Sequence, residues 1–406
     1  MKSALKYLSK QNKHKSQQQK SQHQKLQLQT EGNRHSDMNF VCSDEDIETD
    51  GQSTQLHNKI GSVFECVIDS NPISVQNGMC LIGKTGSARS IGDDTPSQNL
   101  IPSNEMTNRY SQSDLHTNLV PCIKHPGHER FIPIIKLNSY HFPENFQTES
   151  WVKLIRLKAV DVVRLVVSCT SKNRPEELSL TNVKDVRYGT GTAFLYKMDK
   201  TEQCDCTVAT AGHSVSGLFR VMTASHVVFD DEEAKNTTVE FFYDSADTST
   251  VIRGWGVRVC HIDVMRNRSI IECQTHDLNL CQRLTHALKE RNHLIAKELE
   301  PHIVSVLTSV IISHPHGMCK QVTFGKLKEM KEYGVARTTK EGVMLIDCML
   351  TYDTPTCPGT GGGPVNVIGG GTTCYAFAPH CASKGNDENI SGLGWTRVSL
   401  TPIEPL

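Results

Sequence analysis

No stretch of about 18 consecutive apolar residues occurs in this 406-residue chain, so a membrane-spanning helix is not expected. The opening residues, MKSALKYLSKQNKHKSQQQ, lack the apolar core of a secretory signal peptide, and the chain is expected inside the cell. An excess of either charge is also missing: 43 Lys and Arg stand against 44 Asp and Glu. That balance removes any global attraction to nucleic acid or to a membrane surface. Apolar residues make up 37%, low for a chain folded throughout, so part of it is expected to be unfolded. The 15 cysteines are odd in number and come without a signal sequence, which favours reduced thiols over a disulfide framework.

What is present divides into regions of different grammar. Residues 1–36 are rich in Gln, Lys and Ser, with eight basic residues and one acid, Glu31. This reads as a basic, solvated, disordered tail, with an arm for nucleic acid or an acidic partner as the functional alternative. Residues 37–150 mix Ser, Asn, Thr, Gly and Pro with short apolar runs such as Val63–Ile68, and read as weakly structured or linker. From Trp151 to Leu406 the pattern becomes that of a domain. WVKLIRLKAVDVVRLVVSC suggests a short helix running into a buried strand, and short β-rich runs then alternate with Gly, Asp and Asn turns. One interruption, Arg283–Glu300, has Leu284, Leu288, Ile295 and Leu299 on one helical face and reads as an inserted surface helix.

Three segments carry chemistry, in a fixed order. Thr223-Ala224-Ser225-His226 closes an apolar strand. His276-Asp277-Leu278-Asn279-Leu280 places an acid beside another. Cys357-Pro358-Gly359-Thr360-Gly361-Gly362-Gly363-Pro364 is a glycine-rich loop. Taken singly, each is a structural histidine, a cap and a turn. Together, spaced by 51 and 84 residues, the T-A-x-H, D-L-x-L and P-G-x-x-G-G-P segments resemble the chymotrypsin/trypsin-like superfamily of serine proteases. Gly189–Phe194 resembles that family's strand ahead of the histidine. Ser313–Gly317 with Val322–Gly325, and Asp353 eight residues before Gly361, resemble its HtrA-type intracellular branch. The resemblance covers about residues 155–400.

The resemblance implies an all-β fold of two six-stranded antiparallel barrels and a catalytic set of His226 as general base, Asp277 as its orienting acid and a serine nucleophile. The serine position holds Gly361, which has no side chain to attack with. Backbone N–H groups of Gly359 and Gly361 would still form the oxyanion hole. The expected state is therefore an inactive or impaired protease that binds a peptide or protein segment. An active endopeptidase is the alternative, through Thr360 or through a serine in an unmutated form. A scaffold acting through the basic tail is the third reading. Pro355 would lie near the base of the primary specificity pocket, and the Tyr375–Ala378 strand, through Ala376, Phe377 and Ala378, could pair with a substrate main chain. The resemblance also sets Cys357 and Cys381 roughly where trypsins close a disulfide.

No cofactor is called for. Cys204-Asp205-Cys206, His314 with His316, and His380-Cys381 are fragments of metal-binding type, but no paired ligand units appear, and no metal site is expected. Asn-x-Ser/Thr triplets at Asn236, Asn267 and Asn389 would matter only in a secreted chain.

Overall fold

The computed structural model describes residues 107–108, 122–175, 178, 186–197, 217–299, 306–338, 344–369, 376–384 and 388–397. The basic tail, Tyr375 and the Cys204–Cys206 fragment lie outside the described residues. The fold is mostly β. Among the described residues fifteen strands run in chain order: β1 (Thr107–Asn108), β2 (Ile132–Pro133), β3 (Val162–Val167), β4 (Arg187–Lys197), β5 (Gly217–Thr223), β6 (Thr237–Phe241), β7 (Ile252–Asp263), β8 (Arg268–Thr275), β9 (Thr308–Ser313), β10 (Gln321–Thr338), β11 (Met344–Tyr352), β12 (Pro364–Ile368), β13 (Ala376–Ser383), β14 (Asn389–Ser391) and β15 (Gly394–Arg397). Three α-helices occur among the described residues: α1 (Glu149–Val160), α2 (Asp231–Lys235) and α3 (Leu278–Leu294). None is long and apolar enough to cross a membrane.

Strand pairing closes two rings. The first runs β4-β3-β6-β7-β8-β5 and returns to β4; the second runs β11-β15-β13-β12-β9-β10 and returns to β11. All these pairings are antiparallel. Two six-stranded barrels are thus present, as the resemblance implies. The reason is local: β3, VVRLVV, is β-branched and buried at nearly every position, and β9, TSVIIS, is buried throughout. Val163, Leu165, Phe219, Val221, Val239, Phe241 and Ile271 share the first core. Ile311, Leu350, Val365, Val367 and Ala378 share the second.

The expected helix starts earlier than Arg283. Asp277 accepts a hydrogen bond from the Leu280 N–H and caps α3, which continues through a π-helical turn at Ile295–Leu299. Leu294, Ile295 and Leu299 pack with α1 through Trp151, Leu154 and Ile155, while Leu280 and Leu284 join the core of the first barrel. The domain also extends further toward the N-terminus than Trp151. Phe142 and Phe146 are buried in the same cluster as α1, and β2 pairs with β10 at Gln321 and Val322. This stretch was read as linker because three-residue 3-10 turns, such as Ile134–Lys136 and Glu144–Phe146, show neither helical nor strand periodicity.

A buried charge cluster fixes the turn that carries His226. Arg174 and Arg187 meet Glu233 at 2.6 and 3.2 Å, with all three side chains at most 2% exposed. Glu233 also accepts from the N–H groups of Phe229 and Ser171, and Arg174 donates to the His226 carbonyl. Burial by itself would raise the Glu233 pKa. The hydrogen bond and charge of Arg174, joined by Arg187, outweigh it and hold the carboxyl below the ordinary glutamate value. A carboxyl with a depressed folded pKa stabilises the fold above its unfolded value, and that contribution is lost as pH falls through the folded one. Glu233→Gln is expected to cost about 3 kcal/mol in urea unfolding at neutral pH, because it leaves two buried guanidinium groups without their carboxylate. The gap between the native chain and the variant should be full above about pH 4.5 and close at lower pH.

Candidate functional site

The three sequence motifs meet only in part. His226 sits in the turn after β5, where Val227 N–H bonds to the Ala224 carbonyl, and it is buried. The glycine-rich loop between β11 and β12 lies directly against it. A Cβ added at Gly361 would stand 2.5 Å from His226 Nε2. Position 361 is therefore the one that faces the imidazole, as the spacing predicts.

Asp277 is not brought to His226. Its carboxylate caps α3 through Leu280 N–H at 2.9 Å, and its own N–H bonds to Thr275 Oγ1. D-L-N-L is a helix start beyond the end of β8, whereas the group that reaches His226 comes from the other end of that strand. Asn267, immediately before β8, has Oδ1 accepting from Ser225 Oγ at 2.8 Å and from His226 N–H at 3.1 Å. Its Nδ2 donates to Cys381 Sγ at 2.7 Å and lies 2.9 Å from His226 Nδ1. Oδ1 is also 3.1 Å from that ring nitrogen, but it already has two donors. The assignment that uses both amide hydrogens makes Nδ1 an acceptor, so the neutral ring carries its proton on Nε2, toward Gly361. A ring in that tautomer cannot accept a proton from a group at position 361. Asparagine suits the position for a second reason: its φ of 51° is left-handed, a region that Asn enters readily. A polar residue heading the alternating run Arg268–Thr275 was the available signal for Asn267.

The loop is held from the first barrel by Thr190, which sequence reading placed only in a strand. Thr190 N–H bonds to the Gly361 carbonyl at 2.9 Å, and Thr190 Oγ1 donates to the Gly359 carbonyl at 2.8 Å. Among the described residues no backbone acceptor pairs with the N–H groups of Gly359 and Gly361. Gly359 has φ 93°, and a Cβ there would strike the His314 carbonyl at 2.7 Å, so glycine is required. Thr360 turns away from the imidazole: its hydroxyl oxygen accepts from Cys357 N–H at 3.2 Å and faces Ser313 Oγ at 3.4 Å. This geometry removes Thr360 as an attacking group.

The remaining expected residues are placed as follows. Pro355 is buried, and its carbonyl accepts from Thr323 Oγ1. Ala376, Phe377 and Ala378 do not present an open edge. Ala376 and Phe377 pair with Thr396 and Trp395 of β15, and Phe377 and Ala378 pair with Asn366 and Val365 of β12, so the stretch is an interior strand of the barrel. Cys357 and Cys381 are both free thiols. Cys357 Sγ lies 3.5 Å from Cys122 Sγ, while Cys381 receives the Asn267 amide. Among the described residues no disulfide is formed. Asn267 and Asn389 are 3% and 2% exposed, too buried to carry a glycan. His314 is buried with Nδ1 at the Met318 carbonyl, and burial, with the charges of Lys320 and Arg164, keeps its pKa well below the usual histidine value.

Two measurements check this site. Long-range proton–nitrogen NMR of the native chain is expected to show His226 Nδ1 unprotonated and Nε2 bearing hydrogen, and Asn267→Asp is expected to reverse that tautomer; an Nδ1–H ring in the native chain would refute the assignment. Asn267→Ala should lower stability by about 2 kcal/mol in denaturant unfolding, since Ser225 and His226 N–H lose a buried acceptor.

No protein-family model matches the chain, and no curated protein sequence matches it. Solved structures give loose overlaps. The active form of the Rv3671c protease from M. tuberculosis is similar at 15% identity over 61% of this chain and 79% of that one, with TM-score 0.28. Its inactive form is similar at 14% identity over 61% and 87%, with TM-score 0.26. The HtrA-type protease AlgW with tripeptide is similar at 13% identity over 61% and 59%, with TM-score 0.30.

Proposed function

We propose that this domain is a protease-like, catalytically inactive module that binds an extended peptide or protein segment. The observation that carries the reading is the contact of Gly361 with His226. The position facing Nε2 is a glycine, and the ring stands where a side chain at 361 would project. A serine there would have to displace a buried imidazole. The orienting group is the amide of Asn267 instead of a carboxylate, and in the family's well-studied triad an Asp-to-Asn exchange costs about 10⁴ in turnover through the wrong tautomer. Two of three catalytic groups are thus of a non-catalytic type, while the backbone donors at Gly359 and Gly361 are kept.

Peptide binding moves, in this reading, from Ala376–Ala378 to the far end of the same strand. The β12–β13 ladder runs from Phe377 to Pro379 and stops before Cys381–Ser383. There the chain's own segment at 122–128 approaches, with Lys124 Nζ bonded to Ser383 Oγ and, at 2.8 Å, to Thr356 Oγ1.

A fluorophosphonate probe tests the reading. The native chain and Gly361→Ser are both expected to remain unlabelled, and Gly361→Ser combined with Asn267→Asp is expected to gain labelling. Labelling of the native chain would refute the inactive assignment. Labelling of Gly361→Ser alone at the level of the double variant would show that Asn267 does not disable the site.

A further inference from the structure

Four side chains of metal-ligating type converge beside the glycine-rich loop. Cys122, His128, His316 and Cys357 each turn one donor atom inward, and the four atoms lie within 4.8 Å of one another. Cys122 Sγ and Cys357 Sγ are 3.5 Å apart, and His128 Nε2 and His316 Nε2 are 3.0 Å apart. We propose that Cys122, His128, His316 and Cys357 form a tetrahedral zinc site that staples the chain ahead of β2 to the two loops flanking Gly359.

Geometry supports a metal over the alternatives. With Zn–S near 2.3 Å and Zn–N near 2.0–2.1 Å, a tetrahedron has a sulfur–sulfur edge of about 3.8 Å and a nitrogen–nitrogen edge of about 3.3 Å. The observed separations lie within a few tenths of an ångström of those edges. A disulfide needs its sulfurs at about 2.0 Å, and it would leave the two histidines unexplained. Two thiolates and two imidazoles form a closed set of borderline-soft ligands, which suits a structural zinc more than a hard cation or a catalytic metal with an open position.

The backbone points the same way. Only four non-glycine residues among those described have positive φ, and two are the ligand histidines, His128 at 51° and His316 at 54°. Each adjoins a left-handed glycine, Gly127 at 73° and Gly317 at 71°. Such conformations cost about 1–3 kcal/mol each and persist where the surroundings over-determine them. The His316 turn is held by its own N–H to the Pro358 carbonyl at 2.5 Å, and by Arg164 donating to the Gly317 carbonyl at 2.6 Å. Cys122 Sγ accepts from the His125 N–H at 3.3 Å, and Phe131 packs its ring edge-on to His128 at 5.1 Å. These contacts orient the ligands and cover them, as outer-shell groups do at metal sites.

The set was invisible in sequence because its members are dispersed. Cys122 and His128 precede the barrels, and His316 and Cys357 sit in separate loops of the second one; the fragments noted in the sequence contribute only His316. The expectation of no metal rested on finding two ligand pairs close together along the chain, and here folding makes the second pair. The staple also explains why residues 122–128 lie on the loop: Lys124, between the two N-terminal ligands, is delivered to Thr356 and Ser383.

The test uses the full chain, purified reduced and exposed to zinc. Elemental analysis after gel filtration is expected to give one zinc per chain, and cobalt substitution to give the intense visible bands and thiolate charge transfer of a tetrahedral two-sulfur, two-nitrogen site. Cys122→Ser with His128→Asn should weaken retention more than about tenfold, while Cys169→Ser, remote from the cluster, should leave it unchanged. Chelation should open the native chain to tryptic cutting at Lys124 and Arg130. The proposal fails if the native chain retains no metal, if cobalt shows octahedral oxygen-rich coordination, if the double variant binds as well as the native chain, or if peptide mapping finds a Cys122–Cys357 disulfide in the zinc-exposed protein. Because the cobalt spectrum is read on the native chain, a misfolded variant would not rescue the idea.

Discussion

The imidazole of His226 lies against a position that has no side chain, and much of the molecule is arranged around that contact. With only hydrogen at 361, the ring can approach until a Cβ there would be 2.5 Å from Nε2. The loop can then bond straight to the first barrel, with the Gly361 carbonyl taking Thr190 N–H and the Gly359 carbonyl taking Thr190 Oγ1. Gly362 is fitted as tightly: a Cβ would fall 2.0 Å from Thr223 Oγ1 and 2.2 Å from the Thr190 carbonyl. A run of glycines costs backbone entropy on ordering, and here that cost is offset by hydrogen bonds between barrels that bulkier residues would prevent.

The rest of the interface between barrels follows the same logic of polar stitching. Asn267 satisfies Ser225, His226 and Cys381 with one side chain, so it holds both the histidine turn and a strand of the second barrel. Arg164 from β3 pairs with Glu240, stacks on the Tyr243 ring at 3.8 Å and donates to the Gly317 carbonyl. Buried charges and amides cost free energy unless every group is paired, and these are paired in sets.

The glycine-rich loop is also where the chain ahead of the barrels arrives. Cys122 meets Cys357, Lys124 meets Thr356, and His128 meets His316. Three contacts within seven residues of chain fix this stretch to the loop that would carry the oxyanion donors.

By itself the sequence determined a good deal. Short β-rich runs between Gly, Asp and Asn turns signalled a mostly β fold, and the family resemblance implied its two barrels. T-A-S-H and P-G-T-G-G-G-P singled out His226 and Gly361, which the fold sets side by side, since a loop that must approach another backbone closely can tolerate little but glycine. Tertiary structure decided what spacing could not express. Whether Asp277 or Asn267 meets His226 depends on which end of β8 points into the interface, and an acid after a strand reads the same whether it orients a histidine or caps a helix. Whether Ala376–Ala378 forms an edge depends on β12 and β15 filling both of its sides. The four-ligand cluster exists only because the second barrel brings the loops of His316 and Cys357 together and the chain at 122–128 packs against them, and no local pattern in the chain records such a distance.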